Sequence, residues 1–359
     1  MKKALAMVLT LVLVLAAVGT AMAADTAMPA GKVGIAMPTQ SLQRWNLDGA
    51  NLKSLLEADG YEVDLQYANN DVATQVSQIE NMILGGAQLL VVASIDGSAL
   101  GTVLATAKEA GIVVIAYDRL LTSTPDVDYY ITFDNYKVGT IQGTFLKEHF
   151  DLDNAAGPLT MEIFCGDPGD NNAGLFFQGA IDVLQPYVDS GVIVVPSGQT
   201  EFAQCATKDW NSANAQARMD NLIAGYYSGG EKLDMVLCSN DSTALGVTNS
   251  LKAAGFTLDN FPVITGQDCD LANTLNMIEG YQAMSVWKDL FELGNQCKAL
   301  IDKTINFNPE DLPSINYAYW NKVFWVPSYN CVPVFANADN YAQYLLDTGY
   351  YTKAELGLE

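Results

Sequence analysis

The sequence predicts an α/β fold in which two similar, doubly wound parallel sheets are encoded in tandem. Three observations carry this. Short buried β-rich runs alternate with stretches of helical period along most of the chain. Such alternation specifies parallel strands whose connecting helices cover both faces of a sheet. The series restarts near Gly157, and 359 residues suffice for roughly two to three domains at about 150 residues each.

In chain order, residues 33–37 read as a buried strand, and Leu47, Leu52, Leu55 and Leu56 then mark a helix over 46–58. Residues 61–67 form the next strand. Val72, Val76, Ile79 and Ile83 follow at steps of four, three and four, one face of a helix. A strand at 89–93, a helix near 98–110 and a strand at 112–116 continue the pattern. Gly60 and Gly111 stand where helices must end, as a left-handed cap requires. The second series has strands at 159–165, 192–196, 233–238, 262–266 and 282–286. Helices near 171–188, 211–227, 241–254 and 270–279 separate them.

Residues 1–23 read as a cleaved export signal. Lys2 and Lys3 precede an apolar run from Ala4 to Val18, and Ala21-Met22-Ala23 gives the small-x-small cleavage pattern. Residues 24–31 read as a loose leader, and the mature protein is expected to be periplasmic or extracellular. Cleavage leaves 16 basic against 41 acidic residues, a formal charge of −25. A surface this negative repels phosphate backbones, so no nucleic-acid partner is expected. His149, the single histidine, argues against multi-histidine metal sites; neither a metal nor a cofactor is expected. No GxGxxG follows the first strand and no P-loop occurs, so nucleotide cradling lacks support. An exported chain permits disulfides. The six cysteines (165, 205, 238, 269, 297 and 331) allow 15 full pairings. Cys165 and Cys238 both end strand-like runs and could lie side by side, or all six could be buried fillers.

In doubly wound sheets, ligands settle in the crevice outside the carboxyl ends of the strands. The residues just past those ends are rich in carboxylates and amides, with Arg44, Arg119 and Lys288 as cations and Trp45 and Trp210 as indoles. This set suits a small molecule dense in hydroxyls. Carboxylates and amides match groups that both donate and accept, and flat rings cover C–H faces. Asp118 and Arg119 are expected to act as a pair, the arginine neutralising the aspartate.

The chain resembles the periplasmic monosaccharide-binding proteins of ABC importers, above all the multiple-sugar-receptor and D-xylose-binding branch. The resemblance rests on Gly34-Ile35-Ala36-Met37-Pro38-Thr39, Arg44-Trp45, Ile115-Ala116-Tyr117-Asp118-Arg119, Asp170-Asn171-Asn172-Ala173, Ser239-Asn240-Asp241, Gly266-Gln267-Asp268 and Val326-Pro327-Ser328. It implies the type I periplasmic-binding-protein fold, with two lobes joined by a three-strand hinge. It assigns 32–134 plus 288–323 to an N-terminal lobe and 135–287 plus 326–359 to a C-terminal lobe. The implied ligand contacts are Arg44, Trp45, Asp118, Arg119, Asn171, Asn172, Trp210, Asn240, Asp268 and Lys288. The implied function is capture of an aldopyranose by lobe closure and delivery, as a monomer, to an ABC permease, without catalysis. Alternatives are a sugar sensor working with a chemoreceptor or sensor kinase, and an exported carbohydrate-active enzyme.

Overall fold

The computed structural model describes residues 31–155, 157–305 and 315–358. The expected export signal, and the leader up to residue 30, lie outside them.

The first sheet has seven strands in the order β11-β12-β5-β4-β3-β1-β2. Its strands are β1 Lys32–Met37, β2 Glu62–Tyr67, β3 Leu89–Val92, β4 Val113–Tyr117, β5 Tyr129–Phe133, β11 Tyr317–Trp320 and β12 Trp325–Cys331. All neighbours are parallel except the hairpin β11–β12. The central runs are apolar at consecutive positions because helices cover both faces. Leu89, Leu90, Val91 and Val92 are all buried, alternately in the two cores that flank the sheet. Gly60 and Gly111 take φ of 86° and 74° just past their helices, the left-handed conformation that glycine adopts without strain.

The second sheet has the order β7-β6-β8-β9, from β6 Leu159–Phe164, β7 Ile193–Val194, β8 Met235–Cys238 and β9 Val263–Ile264. Strand β10 Met284–Trp287 extends it through a parallel bridge from Val286 to Gln267, and pairs antiparallel with β13 Val334–Asn337.

The chain passes between the sheets three times: after β5, after β10 and after β12. The third passage differs from expectation. Residues 326–331 were assigned with the second sheet. In the structure Ser328, Tyr329, Asn330 and Cys331 pair in parallel with Tyr130, Ile131, Thr132 and Phe133 of the first, and the chain crosses at Val332 and Pro333. The burial pattern of this strand is mixed, so only the partner, four residues of β5 nearly two hundred positions upstream, decides where it lies.

Helix Asn135–His149 packs on helix Asn171–Asp189 at backbone contact. A Cβ on Gly139 would lie 1.9 Å from the Phe176 carbonyl oxygen, and one on Gly179 would lie 2.1 Å from that of Tyr136. Gly179→Val is therefore expected to destabilise the protein by about 2–3 kcal/mol through overpacking. The urea midpoint measures this, and an unchanged midpoint would contradict the contact.

Candidate functional site

The site is assembled from loops at the carboxyl ends of both sheets. Strand β4 ends at Tyr117, and Asp118 turns out of it at φ 58°. The Asp118 carbonyl fixes that turn by accepting from the Tyr130 hydroxyl (2.7 Å), the Thr132 hydroxyl (2.9 Å) and the Asn172 amide (2.6 Å). After β9, Asp268 has φ 97°, and its N–H donates to the Val286 carbonyl at 2.9 Å. Asp209 and Trp210 have φ of 59° and 54°. Left-handed backbone is uncommon for such residues and is held only where the surroundings enforce it. Here it aims two carboxylates and an indole at one point.

Helix Gln43–Ala58 brings Arg44 to that point. Its Nη2 lies 3.0 Å from carboxylate oxygens of both Asp48 and Asp118, and its Nη1 lies 3.3 Å from Asp268 Oδ1. Lys288, directly after β10, lies 3.5 Å from Asp118 and 3.3 Å from Asp268. Two cations thus share two aspartates from opposite sheets. Arg119 bonds Asp170 at 3.0 Å and donates to the Ser94 carbonyl at 3.1 Å. The expected Asp118–Arg119 pair holds only in part: the direct ion pairs of Asp118 are with Arg44 and Lys288, and Arg119 contributes its charge at longer range. The left-handed turn at Asp118 sends the adjacent arginine elsewhere. Asp170 also caps the helix Asn171–Asp189, accepting from the Asn172 N–H at 3.0 Å.

The ring of Trp45 lies within cation–π distance of two guanidinium groups, with Arg44 at 4.5 Å and Arg119 at 5.1 Å from its centroid. Trp210 meets Phe176 edge to face at 6.2 Å. Beneath it, Gly166 leaves room that no other residue could leave, since a Cβ there would lie 1.8 Å from the indole.

These groups close around a narrow cavity of about 20 Å³ lined by Leu42, Arg44, Trp45, Asp118, Arg119, Asp170, Asn172, Phe176, Trp210, Asn240, Gln267, Asp268 and Lys288. Nine of the ten expected contacts line it. Asn171 does not: it opens the helix, and the next residue, about 100° round the axis, is the one turned inward. Phe176, Leu42, Asp170 and Gln267 were not among the ten. Phe176 had a usable signal, standing four positions after Asn172 on the same helical face. The Gln267 side-chain oxygen and both indole N–H groups are buried without a hydrogen-bond partner among the described residues, which leaves them free for hydroxyls.

Asp48 stands behind Arg44. It is fully buried, receives Arg44 through Nε and Nη2, and accepts from the Tyr117 hydroxyl at 2.7 Å. Burial pushes its pKa up, with Arg44 opposing. Burial pushes Asp118 in the same direction, but Arg44, Lys288 and Arg119 together hold it below the usual carboxylate range. Asp118 is therefore an anion at neutral pH, an acceptor rather than an acid.

Asp270 behaves oppositely. Burial and the neighbouring Asp268 raise it to about 7, against Arg44 and Lys288. A group raised on folding binds its proton more tightly in the native state. Its stabilising contribution is complete below about pH 4 and is lost as pH rises through about 7. Denaturant midpoints taken from about pH 5 to about pH 8 are expected to fall less in Asp270→Asn than in the unaltered chain; equal slopes would refute this.

Two α/β halves that meet over one small polar cavity, with ion pairs crossing between them, define a cleft-binding receptor. The sequence pattern of the periplasmic binding protein domain matches residues 33–308, and the chain belongs to that family, with the type I fold. It is 42% identical over 325 residues to the multiple sugar-binding periplasmic protein SbpA of Azospirillum brasilense, covering 90% of each chain. It is 35% identical over 336 residues to the D-xylose-binding periplasmic protein of Escherichia coli, covering 90% of this chain and 92% of that one. The structure also matches an ABC transporter solute-binding protein of Clostridium phytofermentans with bound β-D-glucose. That match has a TM-score of 0.87 and 56% identity, and covers 90% of this chain and 99% of that one.

Proposed function

We propose that this chain is the exported substrate-binding protein of an ABC importer. It closes over one aldopyranose, such as xylose, glucose, galactose or arabinose, and presents the closed form to a membrane permease. The observation that carries this reading is the convergence of Arg44, Asp118, Asp268, Lys288 and the two indoles on one small polar cavity. The carboxylates accept from sugar hydroxyls, and the cations and Asn172 and Asn240 donate to sugar oxygens. Trp45 and Trp210 cover the C–H faces. Charge-assisted bonds of this kind contribute about 1.5–3 kcal/mol each, and a micromolar dissociation constant needs about −8 kcal/mol. Only the closed state completes bonds from both halves, so the sugar shifts the equilibrium toward closure by its differential affinity.

The same geometry favours capture over turnover. Asp118 and Asp268, the carboxylates that face the cavity from opposite sheets, are both ion-paired with Arg44 and Lys288, and Asp118 is held as an anion, which suits accepting from hydroxyls rather than donating a proton. The mature protein acts extracytoplasmically as a monomer. A sensor kinase or chemoreceptor would read the same closed form, and a pull-down on such an ectodomain with and without sugar checks that use.

A thermal-shift panel of D-xylose, D-glucose, D-galactose, L-arabinose, D-ribose and myo-inositol tests the assignment. At a hundredfold excess over the dissociation constant, the bound sugar should stabilise the protein by about 2.7 kcal/mol. A flat response to every compound would overturn it.

A further inference from the structure

We propose that Cys165 and Cys205 are a disulfide site, a redox-sensitive staple between strand β6 and the segment that carries Trp210. The two cysteines lie 40 positions apart in sequence but are laced together in space. The Cys165 N–H donates to the Cys205 carbonyl at 2.8 Å, and the Thr207 N–H donates to the Gly166 carbonyl at 3.1 Å. A direct backbone bond between two residues holds their α-carbons near the span of a disulfide, roughly 4.4–6.8 Å. Both side chains are buried in the same core.

Cys238, one neighbour the sequence left open for Cys165, is excluded by strand geometry. It is paired with Phe164 and shares that residue's core, and side chains alternate along a strand, so Cys165 faces the other way. Cys297 and Cys331 share a core in the first sheet, but no hydrogen bond joins them among the described residues.

The surroundings suit exchange chemistry. The Cys205 thiol donates to the Gln199 carbonyl at 3.2 Å, with Arg218 Nη2 at 4.0 Å. Its bond to Cys165 holds its pKa down, with help from Arg218, while burial pushes the pKa of Cys165 well up. Gln199, Gln204 and Arg218, which touch or flank Cys205, also line a cleft of about 700 Å³; Cys205 itself is fully buried, so a reagent reaches it only when this segment opens locally. The Cys205 thiolate attacks one sulfur of an organic disulfide and expels a thiolate. The Cys165 sulfur then displaces the second thiolate, so two protons and two electrons leave the protein and the reagent departs as two thiols. The tie would fix both the floor under Trp210, at Gly166, and the chain that leads to its ring.

Formation in the organism rests on the export proposed above; the chemistry itself does not. The test uses the purified full-length mature chain, reduced, then exposed to oxidised glutathione, denatured and alkylated with N-ethylmaleimide. The expected result is two fewer alkylated thiols, a Cys165–Cys205 cross-link in the unreduced peptide map, and a melting temperature several degrees higher. Cys205→Ser should show neither cross-link nor temperature response. Six alkylated thiols, or a cross-link between other cysteines, would overturn the proposal. The sugar panel is read separately, so failure of one does not imply failure of the other.

Discussion

Asp118→Ala is expected to lower monosaccharide affinity by at least about a hundredfold in calorimetry, the largest loss of any single truncation in the cleft. Two costs combine. The ligand loses a charged acceptor, about 1.5–3 kcal/mol for each hydrogen bond. Arg44 and Lys288 lose a counter-ion they share with Asp268, and breaking a buried ionic cluster by removing one partner costs about 3–5 kcal/mol. The second cost falls on the free protein too, so the denaturant midpoint should drop with it. Asp118→Asn keeps the shape and removes the charge; it should retain more stability than affinity. Trp45→Ala should weaken binding less, because it leaves no buried charge unpaired. Equal losses for Asp118→Ala and Trp45→Ala would contradict this assignment of roles.

Gly166→Ala is expected to weaken binding by about ten- to a hundredfold while costing only about 1–3 kcal/mol of stability. The added methyl would lie 1.8 Å from one indole carbon and 2.0 Å from the next, so Trp210 must leave its place against Phe176. The stacking face goes with it. The diagnostic is non-additivity: if Gly166→Ala acts only through the indole, it should cost almost nothing further in a Trp210→Ala background. Full additivity of the two changes would show that Gly166 acts by another route.

Much of the site could be read in the sequence because of how doubly wound sheets work. Strand ends can be located from buried runs, and polar residues just beyond them have few places to go except the crevice. Asp118, Asn240 and Asp268 were accessible that way. Asp48 was not, because it sits inside a helix where polarity normally signals solvent. Yet Arg44 and Asp48 fall in step with Leu52 and Leu56, all buried along one stripe, and a charged pair on the apolar face of a helix is itself a signal. Asn171 and Asn172 are adjacent and chemically identical, and the phase of the helix is what turns Asn172 to the cavity. Strand β5 and the placement of 326–331 were harder, for a different reason. A strand's partner is set by contacts remote in sequence, and periodicity carries no record of them. The separation of Cys165 from Cys238 likewise depended on a register that spacing does not contain.

The three passages between the sheets have a corollary for anyone cutting this gene. Neither half is a contiguous stretch of polypeptide: the first sheet takes its outer hairpin from Tyr317–Cys331, and the second takes β13 from beyond it. A truncation anywhere before β11 strips two strands from one half and the closing strand from the other. Neither half can therefore be produced whole as one continuous fragment, and a single cut between β10 and β11 removes strands from both at once.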